Sequence, residues 1–216
     1  MQSISLECDG VEHIYYAELD SLCIRPLARR DLEHLRNWRN DKQVSRFFRK
    51  IDYITSIQQQ QWFHQYLREP NIFYWAIVEE DKEIGSLSLY DVEELSGEIG
   101  KFMIGDKMSR GKGYGYKSFI MTLKVGFEKL QLEKIRVTVH EKNIPAKRIY
   151  DRVGFSVTGR HPFDNEGDEL EMVINKKTFK EVNPMEELVI LGKWGYCWIN
   201  KSPLPSVFNY KRLEVA

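Results

Sequence analysis

Two hydrophobic periods alternate along this chain. Ile135, Val137 and Val139 are interleaved with Arg136, Thr138 and His140, the period of two expected of a half-buried strand. Strands are also predicted over residues 23–27, 73–78, 83–90 and 98–104, with a hinge near Asp81-Lys82 between the second and third. Near the start, the apolar-rich stretches 4–8 and 11–19 flank Asp9-Gly10, a favoured two-residue hairpin turn. The helical period shows in Leu32, Leu35 and Trp38 within 31–40. It recurs in Trp62, Phe63, Tyr66 and Leu67 behind Ser56-Ile57-Gln58-Gln59, which reads as a capping box. Tyr116, Phe119, Ile120, Leu123, Phe127 and Leu130 keep the same spacing, with Lys117, Lys124 and Glu128 on other faces. A shorter helix is punctuated at both ends: Asn143 is a preferred N-cap, Pro145 is tolerated in a first turn, and Gly154 suits the left-handed position that ends a helix. Stretches 155–157 and 170–174 then read as strands around an Asp164-Asn165-Glu166-Gly167 turn. Strands outnumber helices and their order is mixed, which makes the fold class α/β with a mixed sheet.

Composition narrows the function classes. The chain has 216 residues, 42% hydrophobic and 30% charged, enough to bury a core in one enzyme-sized domain. Lys plus Arg (32) equals Asp plus Glu (32), so no overall field favours nucleic acid or an anionic membrane. No apolar run approaches the roughly 20 residues of a membrane helix, and Met1-Gln2-Ser3-Ile4-Ser5 lacks the start of a signal peptide, so a cytoplasmic location is expected. Cys8, Cys23 and Cys197 have no C-x-x-C spacing and the five histidines are dispersed, so neither a disulfide framework nor a metal site is expected.

The stretch Ser109-Arg110-Gly111-Lys112-Gly113-Tyr114-Gly115-Tyr116 joins the 98–104 strand to an amphipathic helix. Glycines let backbone approach a ligand closely, and a helix start offers unpaired N–H groups and the positive end of its dipole. It reads as a pyrophosphate cradle, with Arg110 and Lys112 adding charge; a ligand-free glycine turn is the plain alternative. A Walker loop fails because Gly111-Lys112 is followed by Gly113, and a dinucleotide fingerprint is weak because position 118 is Ser118.

What remains, Arg110-x-x-Gly113-x-Gly115, resembles the loop of the GCN5-related N-acetyltransferases (GNAT superfamily), which holds the pyrophosphate of acetyl-CoA. Asn143, Ala146, Tyr150, Gly154 and Phe155 match the superfamily's second signature, Asn-x-x-Ala-x-x-x-Tyr-x-x-x-Gly-Phe. Asn37-Trp38-Arg39-Asn40-Asp41, Gly85-Ser86-Leu87-Ser88-Leu89 and Glu98-Ile99-Gly100 resemble the RimJ/RimL-type branch. Stretch 35–41, Phe47-Phe48 and Asp168-Glu169-Leu170-Glu171 are most similar to acetyltransferases of UDP-linked 4-amino sugars, the group of the pseudaminic acid pathway enzyme.

The resemblance implies a central mixed, splayed sheet with helices on both faces over residues 22–178, with 1–21 an N-terminal hairpin extension. Residues 179–216, rich in aromatics (Trp194, Tyr196, Trp198, Phe208, Tyr210), would pack on the same domain, where they could cross the acceptor cleft, add edge strands or form a homodimer surface. The implied cosubstrate is acetyl-CoA, without a metal, and the implied partner is a small-molecule amine, neither nucleic acid nor membrane. The cofactor side would comprise Phe102, Met103 and Ile104, with free N–H groups near Met103 and Ile104, then Arg110, Gly111, Lys112, Gly113, Tyr114, Gly115, Asn143, Lys147 and Arg148. Asn143 is equally explained by its cap, and Lys147 and Arg148 by solvation. Tyr150 stands where the family's general acid sits, and Glu98 is the first choice of base, with Asp91, Glu94 and His140 in reserve. Trp38, Arg39, Asn40 and Ser88 are the acceptor-side candidates, with Trp38 equally suited to a core. The favoured acceptor is the 4-amino group of a UDP-linked sugar; a protein N-terminus, a polyamine, an aminoglycoside, or a silent CoA-binding interaction module are the alternatives.

Overall fold

Period-two stretches become the strands of a mixed sheet in the computed structural model, which describes residues 15–48, 52–164, 167–184 and 188–193. In chain order they are β1 (Tyr15–Leu19), β2 (Leu22–Pro26), β3 (Phe73–Glu79), β4 (Lys82–Glu93), β5 (Ser96–Ile104), β6 (Lys134–His140), β7 (Ser156–Asp164), β8 (Gly167–Asn175) and β9 (Ile190–Lys193). They form one sheet in the order β7-β8-β6-β5-β4-β3-β2-β1-β9. Neighbours run antiparallel except β5 and β6. The hinge expected near Asp81-Lys82 falls at Glu80 and Asp81, both with positive φ (45° and 68°), the backbone of a tight hairpin turn.

Helices cover both faces. α1 (Leu32–Asn40) and α2 (Ser56–Tyr66) lie on one, where Leu35, Phe63 and Tyr66 bury against Tyr74 and Met103. On the other, α3 (Tyr114–Lys124), its π-helical continuation Val125–Lys129, α4 (Ile144–Val153) and α5 (Lys176–Val182) bury Phe119, Phe127, Val153 and Phe179 against Ile24, Ile77, Leu87 and Val137. Two-faced cover explains β3, whose residues are buried without alternation from Phe73 to Val78.

The helix ends follow their caps. Asn143 Oδ1 accepts from Ala146 N at 3.4 Å, and Gly154 closes α4 at φ 104°. The capping box before α2 sits one residue earlier than Ser56-based spacing suggests: the hydroxyl of Thr55 accepts from Gln58 N (3.2 Å), and Gln58 Oε1 accepts from Thr55 N (2.9 Å). Thr55 is extended (φ −76°, ψ 162°), as an N-cap must be, whereas Ser56 has already entered the helix. At the far edge, β9 pairs antiparallel with β1, so this part of the C-terminal segment adds a strand. The Asp9-Gly10 hairpin and the aromatic residues from Trp194 onward lie outside the described residues.

One buried ion pair fixes the start of α1 to the sheet. Arg25 of β2 donates to both Asp31 oxygens (2.7 and 2.8 Å) and to Glu83 (2.8 Å), and Ala28 N also donates to Asp31 (2.7 Å). Arg25 and Asp31 are each 3% exposed. Removing one partner strands a desolvated charge, so Asp31→Ala is expected to lower unfolding free energy in urea by about 3–5 kcal/mol. An unchanged midpoint would show that Glu83 alone neutralises Arg25.

Candidate active site

The parallel pairing of β5 with β6 is short: Ser96↔Lys134, Gly97↔Ile135 and Glu98↔Arg136. Beyond Glu98 the strands separate, and the β6-facing main-chain groups of β5 have no ladder partner although they lie in mid-sheet. The same stretch carries a bulge against β4. Gly100 pairs with Ser88 and Met103 with Ser86, which leaves Lys101 and Phe102 opposite Leu87, with Lys101 at φ 50°. The extra residue exchanges the faces of the strand. Ile99, Phe102 and Ile104 pack with the α3 side, whereas Met103 packs with α1 and α2.

After β5 the chain makes the predicted glycine turn. Gly111 and Gly113 have φ of 77° and 84°, and a Cβ on either would meet nothing within 4 Å, so their outer side is open. Gly113 caps α3 without any side-chain cap, which leaves first-turn N–H groups to a ligand. Gly115 serves a different purpose. A Cβ there would approach Ile149 at 3.1 Å and the Phe102 ring at 3.2 Å, so glycine seats α3 closely on α4 and β5. Arg110 does not extend into the open side: its guanidinium donates to the carbonyls of Ile104 (3.0 Å) and Gly105 (3.4 Å), tying the turn to the end of β5. Asp106 steadies the entry, and its carboxyl is held below the usual range by hydrogen bonds from Ser109 and Lys82. Lys112 is exposed, and the Tyr114 hydroxyl donates to Glu79. The turn offers main-chain donors, open space beside its two glycines and the positive end of a helix dipole, features that suit an anion.

Across the gap, α4 presents Tyr150. Its ring packs at a tilt against Phe119 (4.9 Å) and Phe155 (5.8 Å), and it is 5% exposed. Burial, with a smaller contribution from Glu98, pushes its phenol well above the ordinary tyrosine value, so the hydroxyl keeps its proton at neutral pH and can donate it. Asn143 caps α4 through Ala146, Lys147 donates to the Glu141 carbonyl (3.3 Å), and Arg148 is exposed on the next position.

Glu98 faces the α1/α2 side where the strands part. Its carboxylate accepts from Tyr90 Oη (2.6 Å), Arg136 Nε (2.8 Å) and Thr138 Oγ1 (3.2 Å). A carboxylate has about four acceptor positions, so roughly one remains for a ligand. Asp91 accepts from Arg136 (3.2 Å), and Glu94 occupies the β4–β5 turn. His140 is buried; its Nδ1 accepts from Lys142 N (3.1 Å), and its ring lies between Phe47 and Phe163 at 5.7 Å from each.

The acceptor-side candidates divide. Asn40 Nδ2 donates to Ile54 O and its Oδ1 accepts from Ile54 N, both at 2.9 Å, so its amide anchors the segment before α2. Ser88 is fully buried and donates to Gly100 O at 3.1 Å, bracing β4 to β5 at the bulge. Trp38 packs its ring over Gly105, where a Cβ would come within 2.1 Å. Arg39 makes no ion pair among the described residues and lines a groove with Asp52, Tyr53, Ile54, Gln58, Gln59 and Trp62. Sequence reasoning passed over Lys101, Arg136 and Gln59. The run Phe102-Met103-Ile104 breaks alternation and was the available sign of the bulge that places Lys101.

Among the described residues there is no metal-binding group of His, Cys, Asp and Glu, and no helix is long and apolar enough to cross a membrane. The family model described as an acetyltransferase (GNAT) domain matches residues 21–156. The chain is similar to the SPbeta prophage-derived uncharacterized N-acetyltransferase YokL of Bacillus subtilis, 24% identical over 46% of this chain, and the match spans 56% of that relative's length. It is 23% identical to spermidine N(1)-acetyltransferase of Escherichia coli K12, over 64% of this chain and 75% of that one. Its fold is similar to the crystal structure of spermidine N-acetyltransferase from Vibrio cholerae in complex with CoA and spermine, with a TM-score of 0.69 and 21% identity over 74% of this chain and 98% of the other.

Because Ser88 is sealed behind β5, Ser88→Ala is expected to lower stability by about 0.5–1.5 kcal/mol in denaturant unfolding and to leave acceptor KM unchanged. A selective rise in KM would return Ser88 to the acceptor side.

Proposed function

We propose, from the premise that the chain belongs to the acetyltransferase (GNAT) family, that it transfers acetyl from acetyl-CoA to a primary amine held on the α1/α2 side of β5. In this reading the acceptor is the 4-amino group of a nucleotide-linked sugar. The observation that carries the transfer reading is the opening of β5 from β6 directly beside an uncapped helix start with two open glycines.

Acetyl-CoA, when bound, supplies an electrophilic thioester carbonyl, so little is required of the protein beyond position and charge stabilisation. Main-chain N–H groups from Lys112 to Tyr116 would hold the diphosphate, and Arg110 keeps that turn in register with β5. An N–H group of β5 near Met103 and Ile104, beyond the last pair with β6, would donate to the carbonyl oxygen as negative charge develops on it. Tyr150 would donate a hydrogen bond to the departing sulfur; its phenol is raised above the tyrosine reference of about 10, further from the roughly 8.5 of a thiol, so a hydrogen bond is favoured over full proton transfer. The free acceptor position of Glu98 would attract the incoming ammonium and take its proton, directly or through water.

A polyamine is the second reading, favoured by the spermidine acetyltransferases among the relatives. The local charge weighs against it. Arg39 and Lys101 stand on the acceptor side without ion pairs among the described residues, and like charge disfavours a polycation.

Release of CoA thiol, followed with a thiol-reactive dye, is expected with a UDP-linked 4-amino sugar well above that with spermidine or peptide amines; the reverse order would establish the polyamine reading. Tyr150→Phe is expected to lower kcat at least tenfold with CoA affinity near normal, and equal turnover would remove Tyr150 from the mechanism. Glu98→Gln should depress the rate most at low pH, where the amine is hardest to deprotonate; an unchanged pH profile would assign the proton to water alone. Gly113→Val, placing a branched side chain at φ 84° in the open cradle, is expected to abolish CoA binding in calorimetry.

A further inference from the structure

The α1/α2 face holds polar groups that the transfer chemistry does not use. Gln59 is 2% exposed, lines the groove between α1 and α2, and its Nε2 has no hydrogen-bond partner among the described residues. A buried donor without an acceptor is destabilising, and an acceptor on a ligand would relieve that cost. The Tyr74 and Ser86 hydroxyls are buried on the same face, where Ser86 interacts with the Tyr74 phenol. The groove encloses about 280 Å³. Trp62, one of its walls, contacts the Tyr74 ring edge-on at 5.3 Å, and the Lys101 ammonium lies 5.8 Å from that same ring. The groove therefore adjoins the β5 bulge.

The charges in this region are unbalanced. Desolvation lowers the pKa of Lys101, the charge of Arg39 adds to the lowering, and Asp91 opposes it. Lys101 is held between the rings of Tyr74 and Tyr90, at 5.8 and 5.7 Å, rather than against a carboxylate. Glu98 is already taken up by Arg136, Tyr90 and Thr138, and Asp91 by Arg136. Asp52 lines the groove as well, and its negative charge opposes an incoming anion that Arg39 attracts. A planar guanidinium, an amide N–H and an ammonium without a hydrogen-bonded acceptor among the described residues match phosphoryl oxygens.

We propose that Arg39, Gln59 and Lys101 form a subsite for a phosphoryl group carried by the acceptor, with Trp62 and Tyr53 walling the groove beside it. The subsite rests on the nucleotide-sugar reading and deepens it by naming the residues that would hold the acceptor's phosphoryl group. Arg39 and Gln59 act in binding, at a distance from the amine.

The test uses the full-length protein saturated with CoA, so that the glycine turn is filled, titrated by calorimetry at fixed ionic strength with inorganic pyrophosphate, with UDP and with spermidine. Pyrophosphate and UDP are expected to bind. Arg39→Gln should weaken both at least tenfold, Gln59→Leu should weaken both at least threefold without lowering the melting temperature, and Lys177→Gln, which removes one exposed charge on α5, should change neither. Equal affinity in Arg39→Gln would mean adventitious ion binding and overturn the subsite, as would tighter binding of spermidine than of UDP to the unaltered protein. If CoA binds but neither pyrophosphate nor UDP does, the subsite is wrong and the transferase reading stands; if CoA itself fails to bind, the transferase reading falls.

Discussion

The structure turns on the separation of two neighbouring strands in the middle of a sheet. Parallel pairing between β5 and β6 holds for three residue pairs and then stops, which exposes main-chain donors where a continuous sheet would have used them. Such a gap is costly unless the strands are fixed on either side of it. The Glu98–Arg136 bridge at 2.8 Å closes its narrow end, and β6 remains paired with β8 along its length. On the other flank, β4 holds β5 through the bulge, with the Ser88 hydroxyl bonded to Gly100 O. The gap is therefore a rigid feature, the kind of preorganised site in which fixed N–H groups stabilise charge without having to reorient.

The sheet divides the proposed work between its faces. On the α3 and α4 side, Phe119, Phe155 and Phe102 position Tyr150, and Gly115 lets the helix start approach the end of β5. On the α1 and α2 side, polar groups accumulate: Tyr74, Ser86, Tyr90, Glu98 and Lys101 share one surface with Arg39 and Gln59 above it. The bulge links the two. By inserting one residue it directs Phe102 and Ile104 to one face and Lys101 and Met103 to the other, so that a cofactor-side wall and an acceptor-side wall come from the same short stretch.

Much of this was legible in the residues. Caps and glycines are local chemistry, which is why the ends of α4 and the turn from Arg110 to Gly115 could be read directly; Gly111, Gly113 and Gly154 all take the positive φ that their identity suggests. The Thr55 cap was displaced by one residue because Thr and Ser both qualify and only the backbone dihedral separates them. Roles on the acceptor side were harder. Whether Asn40 or Ser88 offers its hydrogen bonds to a ligand or to backbone depends on partners at Ile54 and Gly100, 14 and 12 residues away. Lys101 and Gln59 carry no motif, and their placement follows from a bulge and from the packing of α2, both products of tertiary structure.

The central claim is that unpaired main-chain donors flanking the β5–β6 gap receive the cosubstrate. Amide hydrogen exchange, followed residue by residue with and without saturating CoA, addresses it directly. The account predicts that protection rises at Lys112 to Tyr116 and at Phe102 to Ile104, while β3 in the unaltered half of the sheet stays as it was. Protection arising elsewhere, with both of those stretches unchanged, would contradict it.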